Sequence, residues 1–121
     1  MKIRVYYEDT DAGGVVYHTN YIKYCERARS DLFFAKGLSP VINDTHFVVS
    51  ELECKFYKPA KLGDILEVKT ALIEIKNASL LLEQTIYKES EKIFEMQIKL
   101  GFVDTNGKIT KIPDELKTIF N

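Results

Sequence analysis

Residues 20–36 read NYIKYCERARSDLFFAK, and their spacing decides the fold. Tyr21, Cys25, Ala28, Leu32 and Ala35, joined by Tyr24, recur at intervals of three and four and so line one side of a helix. Lys23, Arg27, Ser30 and Asp31 fall off that side. Thr19 or Asn20 offers a side-chain oxygen to cap the start, and Gly37, followed by Ser39-Pro40, supplies a stop. The pattern predicts one helix of about four turns.

Outward from this helix the period changes to two. Before it, Ile3, Val5 and Tyr7 share one face and Lys2, Arg4, Tyr6 and Glu8 the other, as in a half-buried strand. After it, Leu52, Cys54 and Phe56 alternate with Glu51, Glu53, Lys55 and Tyr57, and Leu66, Val68 and Leu72 with Glu67 and Lys69. Residues 78–88 are apolar on both faces around Leu80, Leu81 and Leu82, which reads as a central strand. Phe94, Met96, Ile98, Leu100 and Phe102 then alternate against Glu95, Gln97 and Lys99. Pro113-Asp114-Glu115 opens a short C-terminal helix. Short connections favour antiparallel neighbours, because a parallel pair needs a crossover of about a dozen residues. The expected architecture is therefore α+β: five strands on one long helix, with the uncovered part of the sheet meeting another subunit.

Composition narrows the function. The chain has 121 residues, 45% of them hydrophobic, and no internal repeat or linker, so residues 1–121 form one domain. Seventeen basic against 18 acidic side chains argue against bulk nucleic-acid binding. No apolar run approaches the roughly 20 residues that span a bilayer, and charge interrupts the N-terminal segment before any signal core, so a cytoplasmic protein is expected. Cys25 and Cys54 are too few for a disulfide framework or a zinc site.

Residues 9–21, Asp9-Thr10-Asp11-Ala12-Gly13-Gly14-Val15-Val16-Tyr17-His18-Thr19-Asn20-Tyr21, carry the chemistry. Two acids, two glycines and one of the two histidines stand between a strand end and a helix start. Unpaired N–H groups at a helix start favour an anion or a developing oxyanion. A carboxylate held beside them is ready to attack, or to activate water at, a polarised carbonyl. A calcium loop is the wrong reading: its fifth position would be Gly13 and its twelfth Asn20, and a strand replaces the entering helix. A phosphatase-type acid pair would need a doubly wound sheet, which these strands do not supply. A metal held by Asp9, Asp11 and His18 lacks a second histidine nearby, so no metal is expected.

Tyr7 to Tyr21, with Cys25-Glu26-Arg27-Ala28-Arg29 behind it, resembles the hydroxybenzoyl-CoA thioesterase family, closest to its Tol-Pal-associated, YbgC-type acyl-CoA thioesterases. Phe56-Tyr57-Lys58-Pro59-Ala60-Lys61-Leu62-Gly63-Asp64 matches a second stretch of that family, and the resemblance covers almost the whole chain. It implies the hotdog fold, a curled antiparallel sheet around one helix, as a homodimer and commonly a dimer of dimers, a homotetramer. It implies hydrolysis of acyl-CoA thioesters without metal or redox cofactor, the carrier being CoA or acyl carrier protein. The family's essential carboxylate corresponds to Asp11, and the helix residue whose N–H faces the thioester oxygen corresponds to His18.

On this reading Asp11 is nucleophile or general base, and His18 polarises the carbonyl. Asp9 is expected to bond the Gly13-Gly14 backbone as a turn acid. Val15, Val16 and Tyr17 are candidate acyl-pocket walls. Lys58, Lys61 and Lys76 are candidates for the CoA phosphates. His46 reads as a strand-edge histidine, and Cys25 and Cys54 as small core residues. A non-catalytic acyl-thioester binding module and a hotdog dehydratase or hydratase, which would pair His18 with an acid, are the alternatives.

Overall fold

A computed structural model describes residues 1–120. In chain order they form β1 (Lys2–Arg4), a 3-10 turn (Tyr7–Asp9), α1 (His18–Phe34), β2 (Val41–Ile42), β3 (Thr45–Phe56), β4 (Ile65–Ile75), β5 (Ser79–Lys88), β6 (Glu91–Asp104) and α2 (Asp114–Lys117). The strands make one antiparallel sheet in the order β1-β4-β5-β6-β3-β2, curled around α1. This is the expected hotdog architecture with six strands instead of five. The extra strand, β2, is two residues long and pairs Val41 with His46 and Ile42 with Thr45, too short to leave an alternating pattern.

The helix meets the inner face of the sheet. Tyr21, Tyr24, Cys25 and Ala28 are buried as their spacing predicts, against Leu66, Val68, Leu82, Ile86, Phe94, Met96 and Ile98. Burial of side chains this large stabilises by about 1.5–3 kcal/mol each. At the far end of α1 the stripe shifts. Ala35 lies beyond the helix and is exposed, and Phe33 is buried in its place, its ring 5.9 Å from Phe47 and 5.5 Å from Phe120. The first strand also ends earlier than its alternation. The chain leaves β1 after Arg4 and enters the 3-10 turn, so Tyr7 points into solvent at 83% exposure.

Two bulges preserve the inward face. In β3 one extra residue, Ser50, stands between Val49, which faces Leu100, and Glu51, which faces Lys99. Phe47 and Val49 before it thus share the inner face with Leu52, Cys54 and Phe56 after it. Ile73 plays the same part in β4. The outer face of β5 is not the apolar surface expected: it carries Leu81, Glu83, Thr85 and Tyr87 beside Lys69, Glu95, Gln97 and Lys99. Exposed apolar side chains instead follow β3, where Val49 and Phe56 are about half exposed. Beyond Thr45 and His46, which pair with β2, the outer edge of β3 has no strand partner among the described residues. No helix among them is long and apolar enough to cross a membrane.

Candidate active site

The segment between the 3-10 turn and α1 is folded by its own backbone. Asp11 N–H donates to Val15 O at 2.8 Å, and Gly14 N–H donates to Asp11 O at 3.0 Å. Gly14 sits at φ 81°, a left-handed conformation that favours glycine. The loop is pinned to the β3–β4 connection by Val16 N–H on Ala60 O at 2.9 Å and by the bridge between Val15 and Lys61.

This folding gives Asp11 the turn contact expected of Asp9. Asp11, not Asp9, bonds the glycine turn: its Oδ1 accepts Gly13 N–H at 2.8 Å and Val15 N–H at 3.4 Å. Its Oδ2 meets no donor among the described residues, and the side chain is exposed. Asp9 is buried, and its Oδ2 accepts Tyr6 N–H at 2.9 Å across the 3-10 turn. The 3-10 turn sends successive residues to different sides, so Asp9 turns inward while Asp11 faces out. Asp9, Asp11 and His18 therefore do not gather around one point as a metal site would need.

The helix begins earlier than predicted. Tyr17 occupies the N-cap position with no side-chain capping bond, and His18 is the first helical residue, so neither Thr19 nor Asn20 is the cap. The cap moves because Tyr17 N–H is already held by Asp9 O at 2.9 Å and the Asn20 side chain is spent on the same oxygen. The amides of His18 and Thr19 find no acceptor among the described residues, as the first turn of a helix dictates.

Loop, first helical turn and the end of β3 enclose an open hollow of about 350 Å³. Asp11, Val15, Tyr17 and His18 form one wall, and Phe56 and Tyr57 the other. The His18 ring stands 4.5 Å from Tyr17 and meets Phe56 edge-on at 6.5 Å. Tyr21 makes the floor; its hydroxyl accepts Ala60 N–H at 3.0 Å. Burial pushes that phenol up, against the pull of the Ala60 N–H and with the carboxylates of Asp64 and Asp11 adding to the rise, so it stays neutral.

The structure brings Asp11, His18, Val15 and Tyr17 together, with Val16 buried beneath them at 4% exposure. Lys58 borders the same hollow, its ammonium 2.7 Å from Glu91, and Lys61 stands exposed on the adjoining connection without an ion-pair partner among the described residues. Lys76 is not brought here. It pairs with Glu74 at 3.3 Å in the β4–β5 hairpin, at the opposite end of the sheet, about 23 Å along β5 from Ile86. His46 lies on β3 opposite Val41 and Val103, outside the hollow. Both cysteines are free thiols; burial pushes Cys25 up to about 12, outweighing the nearby charge of Arg29, and raises Cys54 as well, so neither is a ready nucleophile. Phe56, Tyr57 and Tyr21 are the residues that sequence reasoning passed over. The signal was present in Phe56-Tyr57-Lys58-Pro59, where an aromatic pair stands immediately before the residues that end the strand.

The chain is similar to known proteins over most of its length. The family model of the thioesterase superfamily matches residues 13–95, a span that opens two residues after Asp11. The chain is 43% identical to the acyl-CoA thioesterase YbgC of Helicobacter pylori, over all of this chain and 98% of that one. Among solved structures, a probable thioesterase of Bartonella henselae superposes with a TM-score of 0.89 at 28% identity, covering 93% of this chain and 97% of that one. A gentisyl-coenzyme A thioesterase does so with 0.90 at 25%, covering 100% and 98%.

Proposed function

The chain belongs to the thioesterase superfamily, and from that premise we propose that it hydrolyses acyl-CoA thioesters to free acid and CoA with Asp11 as the essential carboxylate. One observation carries this reading: Asp11, whose Oδ2 meets no donor among the described residues, lines the same hollow as His18, whose N–H is unoccupied at the start of α1. A thioester carbonyl whose oxygen lies on the His18 N–H is polarised by that donor and by the positive end of the helix.

Two routes follow from the free oxygen. As nucleophile, Asp11 Oδ2 adds to the carbonyl carbon, the C–S bond breaks and CoA leaves as thiolate. Water then opens the mixed anhydride, restores the carboxylate and supplies the thiolate's proton. As base, Asp11 takes a proton from water while the hydroxide attacks, and that proton passes to the departing sulfur. Either route consumes one water. The His18 N–H stabilises the tetrahedral oxyanion in both, and the His18 ring, between Tyr17 and Phe56, lines the acyl side. Val15, Val16 and Tyr17 are acyl walls in this reading, and Lys58 and Lys61 at the mouth attract the CoA phosphates; Lys76 has no part in it.

The hollow is open along β3, and a second copy laid against that free edge closes it. The half-exposed inner-face residues Val49, Leu52 and Phe56 support a homodimer through β3, and the mixed-charge outer face supports pairing of two such dimers. Free Cys25 and Cys54 suit a cytoplasmic setting.

The test is thiol release from a panel of acyl-CoA thioesters by wild type and Asp11→Asn. Wild type should turn over at least one of them, and the substitution should lower kcat by roughly 100-fold or more with the melting temperature unchanged. Binding without turnover by wild type would make the chain an acyl-thioester binding module instead.

A further inference from the structure

We propose that Asn20 is a positioning residue that fixes the Asp11 carboxylate relative to the free N–H groups of α1, an inference that rests on the thioesterase reading above. Asn20 does not line the hollow. It is the third residue of α1, two beyond His18, and its Nδ2 donates to Asp9 O at 2.9 Å. Because that partner is a carbonyl, the amide must present its NH2 group. The same oxygen accepts Tyr17 N–H at 2.9 Å.

The bond joins the two halves of the site by a very short lever. The Asp9 carbonyl is one residue from the Thr10–Asp11 peptide, and Asn20 is rigidly attached to His18 by a helical turn. Val15 and Val16 hold the loop to the β3–β4 connection, and Tyr17 N–H holds it at the helix cap, but none of these ties it to the helical turn itself. The Asn20 amide, a second donor on the Asp9 oxygen, supplies that tie from within the first turn. The anchor is itself fixed. Asp9 is 7% exposed, its Oδ2 is held by Tyr6 N–H, and its carboxylate lies beside the buried Tyr24 hydroxyl. Asp9 therefore acts as a buried peg and Asn20 as the tie to it, while Asp11 does the chemistry.

The test uses the full chain and one acyl-CoA that wild type hydrolyses. Asn20→Ala should lower kcat by roughly 10- to 100-fold and leave KM within about twofold, as a misplacement of an ångström or less does. Asn20→Ser, which keeps a donor, should recover part of the loss; Asn20→Asp, whose carboxylate cannot donate to a carbonyl, should not. Hydrogen exchange in Asn20→Ala should quicken at the Gly13 and Tyr17 amides and stay unchanged in β5. Wild-type kcat in Asn20→Ala, a loss there without faster loop exchange, or a parallel collapse of kcat, KM and β5 protection would overturn the inference. If wild type hydrolyses no thioester, the underlying reading fails, while the exchange measurement still decides whether Asn20 ties the loop.

Discussion

At the scale of single residues, the site depends on how closely backbone approaches the Asp11 carboxylate. Gly13 lies so near that a Cβ added there would stand 3.3 Å from Asp11 Oδ1, tighter than ordinary contact. Gly13→Ala should therefore push the carboxylate off the Gly13 N–H and reduce kcat more than stability, measured by thiol release beside a thermal melt. Gly14→Ala should act differently. Nothing crowds the added methyl, but φ 81° is left-handed, so it should destabilise the fold by about 1 kcal/mol. Much at this scale was legible in the sequence: the second acid and the histidine at the helix start line one hollow, and the glycine turn holds the acid. That Asp11 and not Asp9 bonds the glycine turn was not. Two acids two positions apart look equivalent until a 3-10 turn, which has no apolar period of its own, ends at Asp9 and buries it, while Asp11 beyond it faces out.

At the scale of elements, the fold was readable wherever one face is buried. The helix and the alternation of β6 impose periods that a sequence displays, whereas β2 and the early stop of β1 do not. What no pattern announced is the polar joint inside the core. Gln84 is fully buried on the inner face of β5, donates to Cys25 O at 2.9 Å and to Thr70 Oγ1 at 3.0 Å, and accepts from Arg29 Nη1 at 2.9 Å. Burial lowers the Arg29 pKa, so the Gln84 oxygen is the acceptor that keeps a largely enclosed cation solvated. Gln84→Leu preserves bulk but strands all three partners. It should cost about 2–4 kcal/mol in denaturant unfolding, more than a surface change and comparable to opening a core cavity.

At the scale of the whole molecule, two predictions concern assembly and acid. If the free edge of β3 meets a second copy, Leu52→Lys should shift the mass in solution toward the monomer and lower kcat together, since the same contact closes the hollow. Near the site, Asp64 ties the β3–β4 connection to the β5–β6 hairpin: it accepts Lys61 N–H at 2.8 Å and pairs with Lys88 at 3.0 Å. Burial alone would raise its carboxyl, but the Lys61 N–H and the Lys88 ammonium outweigh it and hold the pKa below the ordinary value. A lowered native pKa contributes stability above the unfolded value of about 3.9 and loses it as pH falls through the native one. The gap in melting temperature between wild type and Lys88→Met should therefore be present at neutral pH and vanish in strong acid.

The surplus residue at Ser50 also limits how two such edges can mate. Inward-facing positions are odd-numbered up to Val49 and even-numbered from Leu52, so where the stretch before the bulge faces the stretch after it in an antiparallel twin, like meets like when facing residue numbers add to an odd total. Setting Ser50 against Glu51 on the dyad gives 101, with Val49 across from Leu52 and Phe47 across from Cys54. The half-exposed pair replaced together, Val49→Cys with Leu52→Cys, should then crosslink between copies under mild oxidation and run at twice the mass on a non-reducing gel. One inserted amino acid would thus act as a ward in a lock, narrowing the alignments open to the two molecules.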